Sequence, residues 1–256
     1  MGFFDLALLN NMKEVWDMLK AEQVNEGCSE KNGFTFSGMD LYEDEKVIKI
    51  EFPYALKTLS SAVIGSGLSW KKAFVNRHVD KDYNCDDPMR DMLRFIKNYG
   101  LKADDSIAML TAAHLQNLGK CYIKNEEFEL FVIVTAGVGN SVDVSQAKKH
   151  EWLKHPIGTI NCWVFINGYL AEEAFIHALM TATEAKSKAF FDEKVMDPVT
   201  KTIATGTSTD SMLIAATQQG AKHQYAGTIT TIGKEIGEAV YKCTVEAIRK
   251  SRRSKL

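Results

Sequence analysis

Residues 158–217 read GTINCWVFINGYLAEEAFIHALMTATEAKSKAFFDEKVMDPVTKTIATGTSTDSMLIAAT, and their pattern decides the fold class. Ile160 to Ile166 is an apolar run of strand length. Gly168 interrupts it, and an Ala-rich stretch from about Leu170 to Glu193 predicts a long helix. Beyond Pro198 a strand is expected around Thr200 to Ala204, then the loop ATGTSTDS, then a buried strand over Met212 to Ala216. Strand, long helix and strand in succession make a βαβ-like unit, and such alternation favours one compact layered α/β domain.

The same alternation extends in both directions. Strand-like segments fall at 34–39, at 46–52 (Val47, Ile48, Ile50, Phe52) and at 58–64, before the GSG of residues 65–67 and a short strand over Lys72 to Asn76. A helix follows with Asp86 or Asp87 as N-cap, Pro88 in its first turn, Met89, Met92, Leu93 and Ile96 on one face, and Gly100 at its end. Ile107 to Ala113 and Phe128 to Thr135 read as buried strands, and Thr231 to Arg252 as a closing helix. The N-terminal stripe of Leu8, Met12, Val15, Trp16 and Leu19 predicts an amphipathic helix. The expected fold is an α/β layered sandwich, with residues 1–45 as a helix and lead-in strand packed on a main domain of residues 46–256. DDSIAMLTAA (104–113) and STDSMLIAAT (208–217) stand at matching points of two strand–helix–strand units, which leaves duplication and chance similarity both open.

Composition bounds the function. The 256 residues are 45% hydrophobic and 25% charged, a globular balance long enough to bury a core without disulfide or metal. With 31 Lys and Arg against 33 Asp and Glu there is no basic surplus for a phosphate backbone, so nucleic acid is not expected as a partner. The basic run Arg249, Lys250, Arg252, Arg253 and Lys255 suits a cationic helix C-terminus. Five widely spaced cysteines without a C-x-x-C pair suggest reduced thiols, and no apolar run approaches the roughly 20 residues of a membrane span. A cytoplasmic location is expected, and a homo-oligomer stays open.

The P-loop, dinucleotide-binding, zincin and nucleophile-elbow signatures are all absent. What remains are polar small-residue loops at strand ends. In ATGTSTDS, Thr207, Ser208 and Thr209 offer hydroxyls, Asp210 a carboxylate, and Gly206 a backbone free to turn toward a ligand. Asp210 next to hydroxyls can activate water or Thr207, and N–H groups around Gly206 to Ser208 can stabilise an oxyanion. The alternative is that these side chains only satisfy turn and cap hydrogen bonds. Asn140 in TAGVGNS and Asn161 in GTIN are candidate donors to a substrate amide, and the Asn140–Ser141 peptide offers a site of self-cleavage. Glu184 is a reserve acid or base, and Lys186 and His78 are candidate substrate contacts. No metal-ligand spacing is present, and no cofactor is required by these residues.

Taken in order, LSSAVIGSGL (59–68), FVNRHVDKDYNCDDP (74–88), MLTAA (109–113), VTAGVGN (134–140), GTIN (158–161), TATEAKSKAF (181–190), ATGTSTDS (204–211) and YAGTITTIGKEIGEAV (225–240) resemble the adenosylcobinamide amidohydrolases of corrinoid salvage. Val138, Ser141 and Ser208 depart modestly from the family's usual turns. The resemblance implies a corrinoid substrate and hydrolysis of the amide that joins its aminopropanol arm to the ring, giving adenosylcobyric acid. GTIN, a helix and a TD-containing loop are also similar to the αββα layering of self-processing aminopeptidase and ornithine acetyltransferase enzymes. A corrinoid-binding protein without hydrolysis, or a self-processing peptidase-like hydrolase, are the alternatives.

Overall fold

The computed structural model describes residue 36, residues 38–151 and residues 158–254. The expected N-terminal helix lies outside them. By its contacts the chain divides at Gly33/Phe34, and every described residue belongs to the second unit, Phe34–Leu256.

Its long strands are β1 (Asp40–Glu43), β2 (Val47–Ser60), β3 (Gly67–His78), β4 (Ser106–Thr111), β5 (Gly119–Lys124), β6 (Glu129–Ala136), β8 (Ile160–Asn167) and β11 (Ser211–Ala216). They form one mixed sheet ordered β4-β3-β2-β11-β8-β6-β5, with β1 also on β2. Two short pairs sit apart from it. One joins β7 (Ser141–Val142) to β10 (Gly206–Thr207), the other β9 (Tyr169–Leu170) to β12 (Lys222–His223). The helices are α1 (Pro88–Asn98), α2 (Glu172–Asp192) and α3 (Thr231–Arg253).

The sheet is not flat. Phe74 on β3 and Phe165 on β8 are three strands apart along the hydrogen-bonded path, about 14 Å in an unbent sheet. Their ring centroids are nevertheless 5.0 Å apart, in edge-to-face contact. The bend lies in β2, where the pairing with β3 shifts register between Glu51 and Leu56, around Pro53. A strand that changes sheets at a bulge is how two stacked layers share one strand. One apolar cluster fills the fold: Phe52, Leu56, Phe74, Ile107 and Met109 meet Phe131, Ile133, Trp163, Phe165 and Leu213. Outside, α1 lays Met92 and Ile96 on Val75 and Ala108. On the far side, α2 and α3 cover Val132, Cys162, Val164 and Ile214. The layers therefore run α-β-β-α.

Each half contains one crossover unit, β3–α1–β4 and β8–α2–β11, and in each the two strands are parallel. Ser106 opens β4 and Ser211 opens β11, as the matched sequence segments implied. The first unit starts from β3 and not from the run ending at Ile64, which makes only an isolated bridge to Ala108.

Two local expectations are corrected. Residues 46–52 and 58–64 are largely one strand, because the bulge absorbs Pro53 without ending the ladder. Over Thr200 to Ala204 only an isolated antiparallel bridge forms, between Ile203 and Met196. There the Asp197 carboxylate accepts from the N–H groups of Val199 and Thr200 and turns the chain instead. The α1 boundaries stand: the Asp87 side chain accepts from Arg90 N, and Gly100 follows the end with φ +72°.

Candidate active site

One end of the sandwich gathers the polar loops. The loop of residues 204–210 is stitched to its neighbours by side chains. Asn140 Nδ2 donates to Ser208 Oγ (2.9 Å) and Thr209 Oγ1 (3.1 Å), while Ser208 N donates to the Asn140 carbonyl (3.2 Å). Thr209 Oγ1 donates to Gly158 O and Thr159 Oγ1 to Thr209 O, each at 2.6 Å. Gly158 is needed here: a Cβ on it would stand 2.5 Å from Asn140 Oδ1. That oxygen is buried and, among the described residues, has no hydrogen-bond partner.

Asp210 is the centre of this loop. Its Oδ1 accepts from the Thr207 hydroxyl, from Thr207 N (3.2 Å) and from Ile160 N (3.3 Å). Its Oδ2 is paired with Lys186 Nζ. Lys186 projects from α2 and is only 6% exposed, so the ion pair is held largely away from water, where each charge depends on the other. Gly206 makes room for it, since a Cβ there would lie 2.4 Å from Asp210 Oδ2 and 2.5 Å from Lys186 Nζ. The neighbouring Cys162 thiol is pushed up to about 12 by burial, with Lys186 opposing and Asp210 adding to the shift. It stays protonated at neutral pH.

The structure brings together Asp210, Thr207, Lys186, Gly206, Asn140, Ser208 and Thr209. Three expected residues fall elsewhere, and one expected arrangement changes. Glu184 is exposed, two residues from Lys186 and so about 200° around the helix, on the solvent side of α2. Asn161 sits on the inter-sheet side of β8, aligned with Trp163 and Phe165, whereas Asp210 faces the helices. Its Nδ2 donates to Asn76 Oδ1 (2.7 Å) and Leu110 O (2.9 Å), tying the two sheet layers, and its Oδ1 is a second buried acceptor without a partner among the described residues. His78 hydrogen-bonds Ala113 O through Nδ1 (3.0 Å) and stacks on His114 in a cleft of about 630 Å³. That cleft contains none of the Asp210 cluster. The N–H groups of Thr207 and Ser208, expected to face an oxyanion, already donate to Asp210 and Asn140.

Two contributors were not anticipated. Asp197 is buried and accepts from the N–H groups of Asp143, Val199 and Thr200 and from His150 Nε2 (2.7 Å). Burial works to raise its pKa, but these donors outweigh it and hold the carboxyl below the usual range. It pins the 143–150 segment to the loop that leads into Gly206. Ser61, at the tip of the β2–β3 hairpin, accepts from Ser211 Oγ (3.2 Å) and Met212 N (3.0 Å) and so flanks Asp210 from the other side. A pair of small polar residues in a hairpin tip was the available signal. The basic C-terminal run is partly neutralised, as Arg249 and Arg252 pair with Glu193. Among the described residues no group of three or more His, Cys, Asp or Glu is placed to hold a metal, and no helix is long and apolar enough to cross a membrane. Cys85, Cys121, Cys162 and Cys243 form no disulfide.

Residues 33–255 match the family described as adenosylcobinamide amidohydrolase. An uncharacterized protein of Methanocaldococcus jannaschii is 26% identical over 238 residues, 84% of this chain and 91% of that one. An adenosylcobinamide amidohydrolase of Methanosarcina mazei is 28% identical over 192 residues, 70% of this chain and 86% of its own. Among solved structures, a β-aminopeptidase of a Burkholderia species is similar over 88% of this chain and 82% of that one, at 14% identity and a TM-score of 0.40.

Proposed function

The chain belongs to the adenosylcobinamide amidohydrolase family, and we propose that it hydrolyses the amide between the corrin side arm and aminopropanol, releasing adenosylcobyric acid and the free amine for cobalamin salvage. The observation that carries this reading is the Thr207 hydroxyl donating to a carboxylate that is itself paired with the buried Lys186. Such an arrangement supplies a nucleophile and a proton acceptor on one loop and a fixed positive charge from α2, all within the residues that match the family.

In this reading Thr207 Oγ1 attacks the amide carbonyl carbon, and Asp210 Oδ1 takes the hydroxyl proton as that bond forms. A carboxylate does not deprotonate an alcohol outright, so the transfer is coupled to attack and does not precede it. The proton passes to the amide nitrogen as the C–N bond breaks, and aminopropanol leaves. Water then cleaves the Thr207 ester, giving the carboxylic acid and restoring the hydroxyl. Lys186 holds Asp210 in place and offsets the negative charge that develops, a role that the occupied N–H groups of Thr207 and Ser208 do not fill. Asn140 holds the loop in place by donating to the Ser208 and Thr209 hydroxyls. Asn161 acts from the opposite face of the sheet, by tying β8 to Asn76 and Leu110 beneath the loops, and His78 takes no part.

The test is incubation with adenosylcobinamide and measurement of aminopropanol in wild type, Thr207→Ser and Thr207→Val. Release by wild type and by the Ser variant, but not by the Val variant, supports the assignment. Release undiminished in Thr207→Val removes Thr207 from the chemistry.

A further inference from the structure

Among the described residues, α2 and α3 cover the helix-side face over β6, β8 and β11 and leave the end of the β2–β3 hairpin open. There Leu68 is 51% and Trp70 54% exposed, although both are large and apolar and lie within β3. Direct cross-strand partners share a face, so the register Leu68↔Leu59↔Ile214 and Trp70↔Lys57↔Ala216 sets them on the same side as Ile214, which α2 covers. The first turn of α2 borders the patch. Lys57 Nζ bonds Glu172 (2.9 Å) and lies 5.8 Å from the centre of the Phe175 ring.

Asp210 lies on this same face. It is four residues before Ile214 along the chain, and Leu68 is two strands across from Ile214, a separation of about 16 Å by strand geometry. The hairpin tip between them is bonded to the start of β11 through Ser61. A polar reaction centre and an apolar step thus lie on one face of the sheet, about 16 Å apart, a span that a side arm and a ring can bridge.

We propose that Leu68 and Trp70 are the platform for the corrin macrocycle, with the ring's face on the indole and Leu68 and one amide arm reaching Thr207 and Asp210. The proposal rests on the amidohydrolase reading, since it takes the occupant to be a large ring bearing amide arms. The ring's methyl-bearing apolar surface matches an exposed indole, while its neutral amides match the Ser and Thr rim at Ser61, Ser208 and Thr209.

Adenosylcobyric acid is the probe, because it has the ring but no aminopropanol amide to cleave. Its affinity for the full chain is measured by equilibrium dialysis, beside the kinetics of adenosylcobinamide hydrolysis. Leu68→Ala and Trp70→Ala should each weaken adenosylcobyric acid by about tenfold or more and raise KM by a similar factor, with kcat within about twofold of wild type. Trp70→Phe should keep most of the affinity. Unchanged affinity in both alanine variants, with wild type still hydrolysing, overturns the platform and leaves the amidohydrolase reading standing. Wild type that binds adenosylcobyric acid through these residues but never releases aminopropanol supports the platform and overturns the hydrolysis. A wild-type dimer that Trp70→Ala converts to monomer without loss of corrinoid affinity also overturns the platform, making this face a contact between copies.

Discussion

Replacing Asp210 by Asn separates two roles that the geometry combines. The carboxylate accepts four contacts, from the Thr207 hydroxyl and N–H, Ile160 N and Lys186. An amide of the same shape keeps an oxygen for some of these but leaves the Lys186 ammonium, 6% exposed, without its counter-charge. Breaking one side of a buried pair costs about 3–5 kcal/mol, which for a domain of this size lowers the melting midpoint by about 10 °C. Asp210→Asn should therefore be folded but less stable, with kcat down by two orders of magnitude or more. Adding Lys186→Met removes the stranded charge, so the double variant should regain most of the stability and none of the activity. Calorimetry and aminopropanol release on the two single variants and the double complete the cycle. Near-normal turnover in folded Asp210→Asn would refute the assignment of Asp210. Activity returning along with stability would show that the residue acts only through folding.

Gly206→Ala should place a methyl group within about van der Waals overlap of both charges, and activity should fall at least about tenfold in a chain that still melts cooperatively. Glu184→Gln, on the solvent side of α2, should leave kcat and KM within about twofold in the same assay. Acid stability should depend on Asp197. Its folded pKa lies below the unfolded value of about 4, so its contribution is present above that pH and is lost as pH falls below it. Unfolding midpoints measured between neutral pH and pH 3 should fall less steeply in Asp197→Asn than in wild type, from a lower starting value.

The crossover units were legible because their signals are local: Pro88 and the Asp87 cap for α1, an apolar run for β8, an Ala-rich stretch for α2. The β5 strand was not, since it is short and offers only Cys121 and Ile123 as an apolar face between Lys120 and Lys124, as suits the edge of a sheet. The bend of β2 depends on which cluster claims Phe52 and Leu56, a long-range fact that Pro53 alone does not convey. At the site, Asp210, Thr207 and Asn140 stood out as small polar residues concentrated on turns. Their connection to Lys186 did not, because 24 residues, the end of α2 and an irregular loop separate the pair. Which of Glu184 and Lys186 points inward depends on helix phase, and α2 is so rich in Ala that its sequence sets the phase only weakly. Asn161 looked equivalent to Asn140, yet strand alternation turns it to the opposite face from Asp210.

The most direct measurement is hydrolysis of adenosylcobinamide in water enriched in oxygen-18, with mass analysis of the corrinoid. Hydrolysis through Thr207 and Asp210 predicts adenosylcobyric acid carrying one heavy oxygen, together with an equal amount of free aminopropanol, and neither product from Thr207→Val. A corrinoid that binds and is recovered with its aminopropanol arm intact would contradict it.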